Sequence, residues 1–245
     1  IPWLAGIPLR TGWRGEMRYG LLNDMRALDE KKLPQMVQRF AALGLDKGVE
    51  LPAELPAPRL MVDQGNVASG RQKFLLADRR PILALCPGAE FGGAKRWPLE
   101  YYADLAQRYL KRGWQVLLYG SQNDSDVTSQ IYHISGAQRY CYDLAGKTSL
   151  AEAIDLLSLS DAVVSNDSGL MHIAAALERP LLVLYGATSP DFTPPLSNMS
   201  RMIVSDIECA PCFARECPLR HHRCMRDITA DQAEVQLKSL LIAAG

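Results

Sequence analysis

From residue 80 onward, short continuous apolar runs alternate with longer stretches whose apolar residues recur at helical spacing. Pro81–Cys86 is an apolar run closed by Pro87-Gly88, which predicts a buried strand and a turn. Leu99–Arg112 places Leu99, Tyr102, Ala103, Leu105, Ala106 and Leu110 on the apolar side and meets Gly113, which predicts an amphipathic helix and its stop. Gln115–Tyr119, Tyr140–Leu144, Ala162–Ser165, Leu181–Tyr185 and Arg201–Val204 read as further strands. Asn123–Ile134, with its acidic first turn, reads as a helix. So do Ser149–Ser158, the small-residue stretch Gly169–Leu177 and the closing Ala230–Ala243. Short strands alternating with helices predict an α/β fold: a doubly wound, Rossmann-like parallel sheet covered on both faces, spanning 78–245.

Residues 1–77 follow another pattern. A helix is expected near Leu33–Leu43, then a Pro-rich stretch, Leu51–Pro58, where prolines favour extended chain and mark a linker or crossing segment. A short strand at Arg59–Val62 and a helix at about 64–77 complete this part, which is set apart as a separate region, 1–77.

Composition narrows the classes. The 245 residues carry 27 Lys+Arg and 27 Asp+Glu, a formal net charge of zero, which argues against a dedicated nucleic-acid binder. At 48% hydrophobic the chain can bury a core, and no apolar run approaches the ~18 residues that cross a bilayer. Ile1-Pro2-Trp3 has neither the basic nor the apolar region of a secretory signal. The isolated Cys86 and Cys141 lie in apolar runs and read as core residues.

In an open α/β sheet, ligands bind beyond the carboxyl ends of the strands, so the residues there are considered together. After the first strand, Gly88, Ala89, Gly92 and Gly93 precede Lys95-Arg96. Close-approaching amides plus a cation suit a phosphate, although the stretch is neither a Walker A nor a Gly-x-Gly-x-x-Gly motif. The alternative is a surface loop with a solvated basic pair. At Ser165-Asn166-Asp167-Ser168-Gly169, a strand runs straight into a helix start. Ser168 and Gly169 can offer amides to an anion, or Asp167 or Ser168 can simply cap the helix. His172 lies one turn further on, within reach of the same rim or packed as an ordinary histidine. Gly120–Asp124 suits a ribose or base edge, or capping. In Asp143–Leu150, Leu144 and the turn at Gly146 could line a flat ring with Leu150 as an apolar wall, or Thr148 or Ser149 could cap the next helix.

Taken in order, Pro87-Gly88-Ala89 with Lys95-Arg96-Trp97-Pro98, Leu144–Thr148, Ser165–His172 and Leu184–Pro190 closely resemble the ADP-heptose–lipopolysaccharide heptosyltransferases, glycosyltransferase family 9. The resemblance covers essentially the whole chain, including Arg10–Trp13, and Ser189–Pro195 is most like the type II branch. It implies a GT-B enzyme with two Rossmann-like domains, the C-terminal one binding the nucleotide-sugar and the N-terminal one the acceptor. The implied reaction moves L-glycero-D-manno-heptose from ADP-heptose, with inversion, onto the first heptose of the lipopolysaccharide inner core on Kdo-lipid A. It would take place at the cytoplasmic face of the inner membrane, with membrane contact through the acceptor and no resident cofactor. Carried over, Gly88 and Ala89 match the diphosphate loop, Lys95 the phosphate-binding lysine, and Asp167, Ser168 and Gly169 the stretch at the diphosphate and sugar, with His172 beside them. Leu144, Gly146 and Leu150 complete the expected nucleotide-binding set. Family members are longer at the N-terminus by roughly a hundred residues, so the chain is expected to begin near the end of the acceptor domain and to lack the catalytic base. It is then expected to bind ADP-heptose while transferring little or nothing; the other alternative is a GT-B enzyme that uses a UDP-sugar.

Four cysteines, Cys209, Cys212, Cys217 and Cys224, crowd together with His221 and His222 among them. They suit a Cys₄ zinc site that staples the loop, or reduced thiols that pack it, and their spacing does not match a paired-knuckle motif.

Overall fold

The computed structural model describes residues 1–136 and 139–244. The chain forms two compact units, residues 1–56 with 191–194, and residues 57–190 with 195–245.

In the first unit, β1 (Thr11–Trp13) pairs in parallel with β2 (Asp24–Arg26), Gly12 opposite Met25. A Cβ at Gly12 would meet Leu22 Cδ1 at 2.7 Å, so the Leu22 side chain packs closely over this glycine. Arg26 binds Asp24 at 2.7 Å and donates to the Ala42 and Leu45 carbonyls at the C-terminal end of α1 (Met36–Gly44). That pairing pulls the Asp24 carboxyl below its ordinary pKa, chiefly through the Arg26 hydrogen bond. Neither strand stood out in the sequence, because three-residue segments show no periodicity.

The second unit holds one parallel sheet of six strands. They are β3 (Ile82–Cys86), β4 (Gln115–Leu118), β5 (Cys141–Asp143), β6 (Ala162–Asn166), β7 (Leu181–Tyr185) and β8 (Ser200–Val204), in the order β5-β4-β3-β6-β7-β8. The predicted parallel-sheet α/β architecture is present. β3, β6 and β7 are buried along their whole length, which is why they read as unbroken apolar runs. Side chains alternate between the faces: Leu83 and Leu85 join α3 (Leu99–Lys111) and α8 (Ala230–Ala244) in one core, while Ile82, Ala84 and Cys86 join α5 (Leu150–Leu157) and α6 (Gly169–Ala176) in the other. Cys86 and Cys141 are buried, as their settings predicted.

Residues 59–62 form no strand. Pro56 and Pro58 supply no N–H, and the segment instead hangs Leu60 N–H on the Ala176 carbonyl. α2 (Gln64–Lys73) is capped by Asp63 and lies on α5. The buried Asp155 accepts from Asp63 N–H and Asn66 Nδ2, both at 2.9 Å. Gly70 allows the close approach, since a Cβ there would meet Leu156 at 2.6 Å. The helix expected from residue 123 begins as a 3₁₀ turn, Gln122–Asp124, and continues as α4 (Ser125–Ile134). A short α7 (Arg223–Arg226) within the cysteine-rich region was not foreseen.

Candidate functional site

The strand order reverses between β3 and β6, which pair directly with Cys86 opposite Ser165. From β3 the chain winds outward through β4 to β5, and from β6 through β7 to β8. A crevice therefore opens at the carboxyl ends of β3 and β6. The loop 87–98 and the stretch 167–169 flank it.

Lys95 Nζ meets Asp167 Oδ2 at 2.7 Å across this crevice, and the two side chains are 14% and 5% exposed. A desolvated pair interacts strongly, but its desolvation cost is also high, so it marks the spot more surely than it stabilises the fold. Lys95 ends a 3₁₀ turn, Gly93–Lys95, and its ammonium lies 5.0 Å from the Phe91 ring centre. Ser168 begins α6 in extended backbone, and its side chain caps no helix amide; Ser168 Oγ lies instead 3.2 Å from Ser165 Oγ. Ser168 is thus the N-cap residue of α6 by position, without a hydroxyl bond to a helix amide. A Cβ on Gly169 would meet nothing within 4 Å, so the space beside the first residue of α6 is open. The N-terminal amides and dipole of α6 face that opening.

Asn166 joins the two flanks. It is fully buried, and Oδ1 accepts from Trp97 N–H at 3.2 Å and Tyr102 O–H at 3.0 Å. Its Nδ2 donates to the Pro87 carbonyl at 2.8 Å. Both ends of the loop that carries Lys95 are thus pinned to the residue before Asp167. Asn166 was not among the residues expected at the site, because the partners that give it this role lie 64 to 79 positions away along the chain.

The other candidates fall around this centre. Gly88 is needed for packing: a Cβ would stand 2.7 Å from Asp124 Oδ2. Ala89 is buried. Asp124 accepts from the Ser121 amide and hydroxyl and faces Arg96 at 3.5 Å. Asp124-Ser125-Asp126 has Asp-x-Asp spacing, and its first carboxylate is taken up by these contacts. Gly146 adopts φ +68°, donates to the Gly120 carbonyl and leaves no room for a Cβ, which would reach Gln122 Oε1 at 2.3 Å. Leu144 is fully buried in the core, so only its backbone is available at the rim. Leu150, at the start of α5, is 66% exposed, an unusual placement for a leucine beside a glycine turn. His172 is exposed on α6, and its pKa is held below the ordinary value chiefly by desolvation; Asp167 opposes this shift and Lys95 reinforces it.

The four clustered cysteines are free thiols with different surroundings. Cys209 and Cys212 are exposed, Cys217 is half-buried, and Cys224 packs into the core shared by α3 and α8. Among the described residues, no group of three or more His, Cys, Asp or Glu side chains is arranged to hold a metal ion. The Cys217 thiol is held below its ordinary pKa, first by the His222 N–H and then by other amides of the same turn. Among the described residues, no helix is long and apolar enough to cross a membrane.

Residues 1–222 match the profile of glycosyltransferase family 9 (heptosyltransferase). The chain is 46% identical over its full length to lipopolysaccharide heptosyltransferase 2 of Salmonella typhimurium, covering 72% of that protein. It is similar in structure to E. coli ADP-heptose lps heptosyltransferase II, with a TM-score of 0.87 and 44% identity, over 99% of this chain and 72% of that one. A glycosyltransferase family 9 protein from Veillonella parvula shares the fold at 17% identity, with a TM-score of 0.77 over 98% of this chain and 69% of that one. With that match across most of its length, and with a crevice at the sheet's switch point where its motifs meet, the chain belongs to glycosyltransferase family 9, the heptosyltransferases.

Proposed function

We propose that the chain serves the transfer of L-glycero-D-manno-heptose from ADP-heptose to the first heptose of the lipopolysaccharide inner core, at the cytoplasmic face of the inner membrane. The observation that carries this reading is the Lys95–Asp167 pair, 2.7 Å apart beside the open start of α6. The donor diphosphate lies along this crevice, with Lys95 on one side and the amides of Ser168 and Gly169 on the other. Gly88 and Ala89 let the loop backbone approach it. The adenine ring rests on the turn at Gly146, with the exposed Leu150 as its wall.

In the reaction an acceptor hydroxyl oxygen attacks C1 of the heptose from the face opposite the phosphate. The C1–O bond breaks, its electron pair leaves with ADP, the acceptor hydroxyl gives up its proton to a general base or to water, and the configuration at C1 inverts. Negative charge grows on the β-phosphate, where Lys95 and the α6 dipole are already oriented to receive it. Asp167, paired with Lys95, fixes the ammonium and is a positioning group, not the base that takes the acceptor proton. His172, held largely neutral near pH 7, can offer a hydrogen bond to the donor without adding charge.

Titration calorimetry with ADP and UDP tests the donor assignment, and a transfer assay with ADP-heptose and heptosyl-Kdo-lipid A tests the reaction. ADP is expected to bind well ahead of UDP, and Lys95→Ala to lose that binding. Equal affinity for the two nucleotides, or unchanged ADP binding in Lys95→Ala, would remove this reading.

A further inference from the structure

The cysteine-rich loop touches the turn that carries Lys95. Ala94 N–H donates to the Arg215 carbonyl at 3.0 Å, and Gly93 N–H donates to Glu216 Oε1 at 3.1 Å. The fit is close: a Cβ on Gly92 would stand 2.2 Å from the Arg215 oxygen, and one on Gly93 would stand 2.9 Å from Glu216 Oε2. The Phe91 ring lies 5.0 Å from Lys95 Nζ and 5.2 Å from the Arg215 guanidinium. Within the turn itself, the backbone bonds Gly92 N–H to Ala89 and Lys95 N–H to Gly92 are long, at 3.3 and 3.4 Å. Asn166 holds both ends of the 87–97 loop but not its middle.

The loop that reaches over is itself anchored. Phe213 N–H donates to the Ala187 carbonyl at 2.7 Å, just past β7, and Met225 packs against Gly186, where a Cβ would meet its sulfur at 2.5 Å. Between these points Arg220 N–H closes a turn on the Cys217 carbonyl at 3.0 Å.

We propose that Glu216, together with the Arg215 carbonyl, is a positioning residue of the donor site: it clamps the middle of the Gly92–Lys95 turn and sets where Lys95 stands. The proposal rests on Lys95 being the diphosphate-binding cation. A carboxylate accepting a backbone N–H makes a charge-assisted bond, which gives a side chain that never touches the donor a hold on the cation that does. The cysteine-rich loop thereby acquires a task at the diphosphate without a metal: it carries the outer half of a two-sided grip, and Asn166 supplies the inner half.

The test is ADP calorimetry and thermal unfolding of the full chain for Glu216→Ala, Glu216→Gln, Gly92→Ala and Lys95→Ala. Glu216→Ala is expected to weaken ADP binding roughly five-fold, only part of the worth of a charge-assisted hydrogen bond because the loss reaches ADP through the turn, with a thermal midpoint within about 2 °C of the parent. Glu216→Gln keeps an oxygen acceptor and is expected to stay within about two-fold of the parent. Gly92→Ala, which forces the turn off Arg215, is expected to weaken ADP as Glu216→Ala does. If Lys95→Ala abolishes ADP binding while Glu216→Ala binds like the parent, the clamp is overturned and the donor assignment stands. If Lys95→Ala binds like the parent, the donor assignment fails first. Equal losses in Glu216→Gln and Glu216→Ala would mean a bulk charge effect, and a midpoint lowered by more than about 5 °C in Glu216→Ala would mean a purely structural role; either overturns the proposal.

Discussion

At the scale of single residues, the site depends on groups placed where only one residue type works. Lys95 is the clearest. Removing its ammonium leaves Asp167, 5% exposed, without its counter-charge in the crevice where we propose that the donor phosphates bind. Lys95→Ala is therefore expected to cost ADP affinity by about 10- to 150-fold, the range for losing a charged hydrogen bond, measured by calorimetry. Gly146 is a second such position. At φ +68°, with Gln122 Oε1 2.3 Å from any added Cβ, alanine strains both backbone and packing. Gly146→Ala is expected to destabilise by about 1–3 kcal/mol, read as a lower urea midpoint with unchanged m-value. The glycines, Lys95 and Asp167 could be singled out in the sequence because their types are unusual at strand ends. Asn166 could not be ranked that way. Its importance lies in having partners 64 to 79 residues away, and nothing local marks them.

At the scale of elements, the periodic patterns located most helices and strands to within a residue or two. They failed where an element is too short to show a period, as in β1 and β2, or where prolines left a segment without its ladder, as at residues 59–62. The α3–α8 contact shows what such patterns leave out. Glu234 on α8 is 7% exposed and takes Lys238, Arg108 and Arg112 together. Its carboxyl pKa is pulled from 4.5 down to about 2, first by the Lys238 hydrogen bond and also by Arg108 and Arg112, against the opposing effect of burial. A depressed folded-state pKa stabilises the fold above the unfolded value, and that stability disappears as the carboxylate is protonated. Stability from Glu234 should therefore be whole above pH 4.5 and fall away toward about pH 2. Glu234→Gln is expected to be less stable than the parent at neutral pH by about 1–3 kcal/mol, seen as a lower unfolding temperature. Thermal scans should show that gap closing across the same acid window; a gap independent of pH would contradict it.

At the scale of the whole chain, burial is uneven. β3, β6 and β7 are wholly buried, whereas in residues 1–56 Gly12 is the one buried residue. Hydrogen exchange is expected to be slowest in those three strands and fastest across residues 1–56, with the loop 87–98 intermediate and slowed further by ADP. Uniform protection along the chain would contradict that order. The alternation of strand and helix, the glycine turns and the family's motifs follow from local sequence, because backbone preference and the burial of strand runs depend on a residue and its near neighbours. What brings Lys95 beside Asp167, 72 positions away, is the parallel pairing of β3 with β6. So too with the bonds of Asn166 to the ends of the 87–97 loop and of Glu216 to its middle: each needs partners that become neighbours only when the sheet has formed and its faces have been covered, and the free energy of that packing is carried by no single stretch of chain.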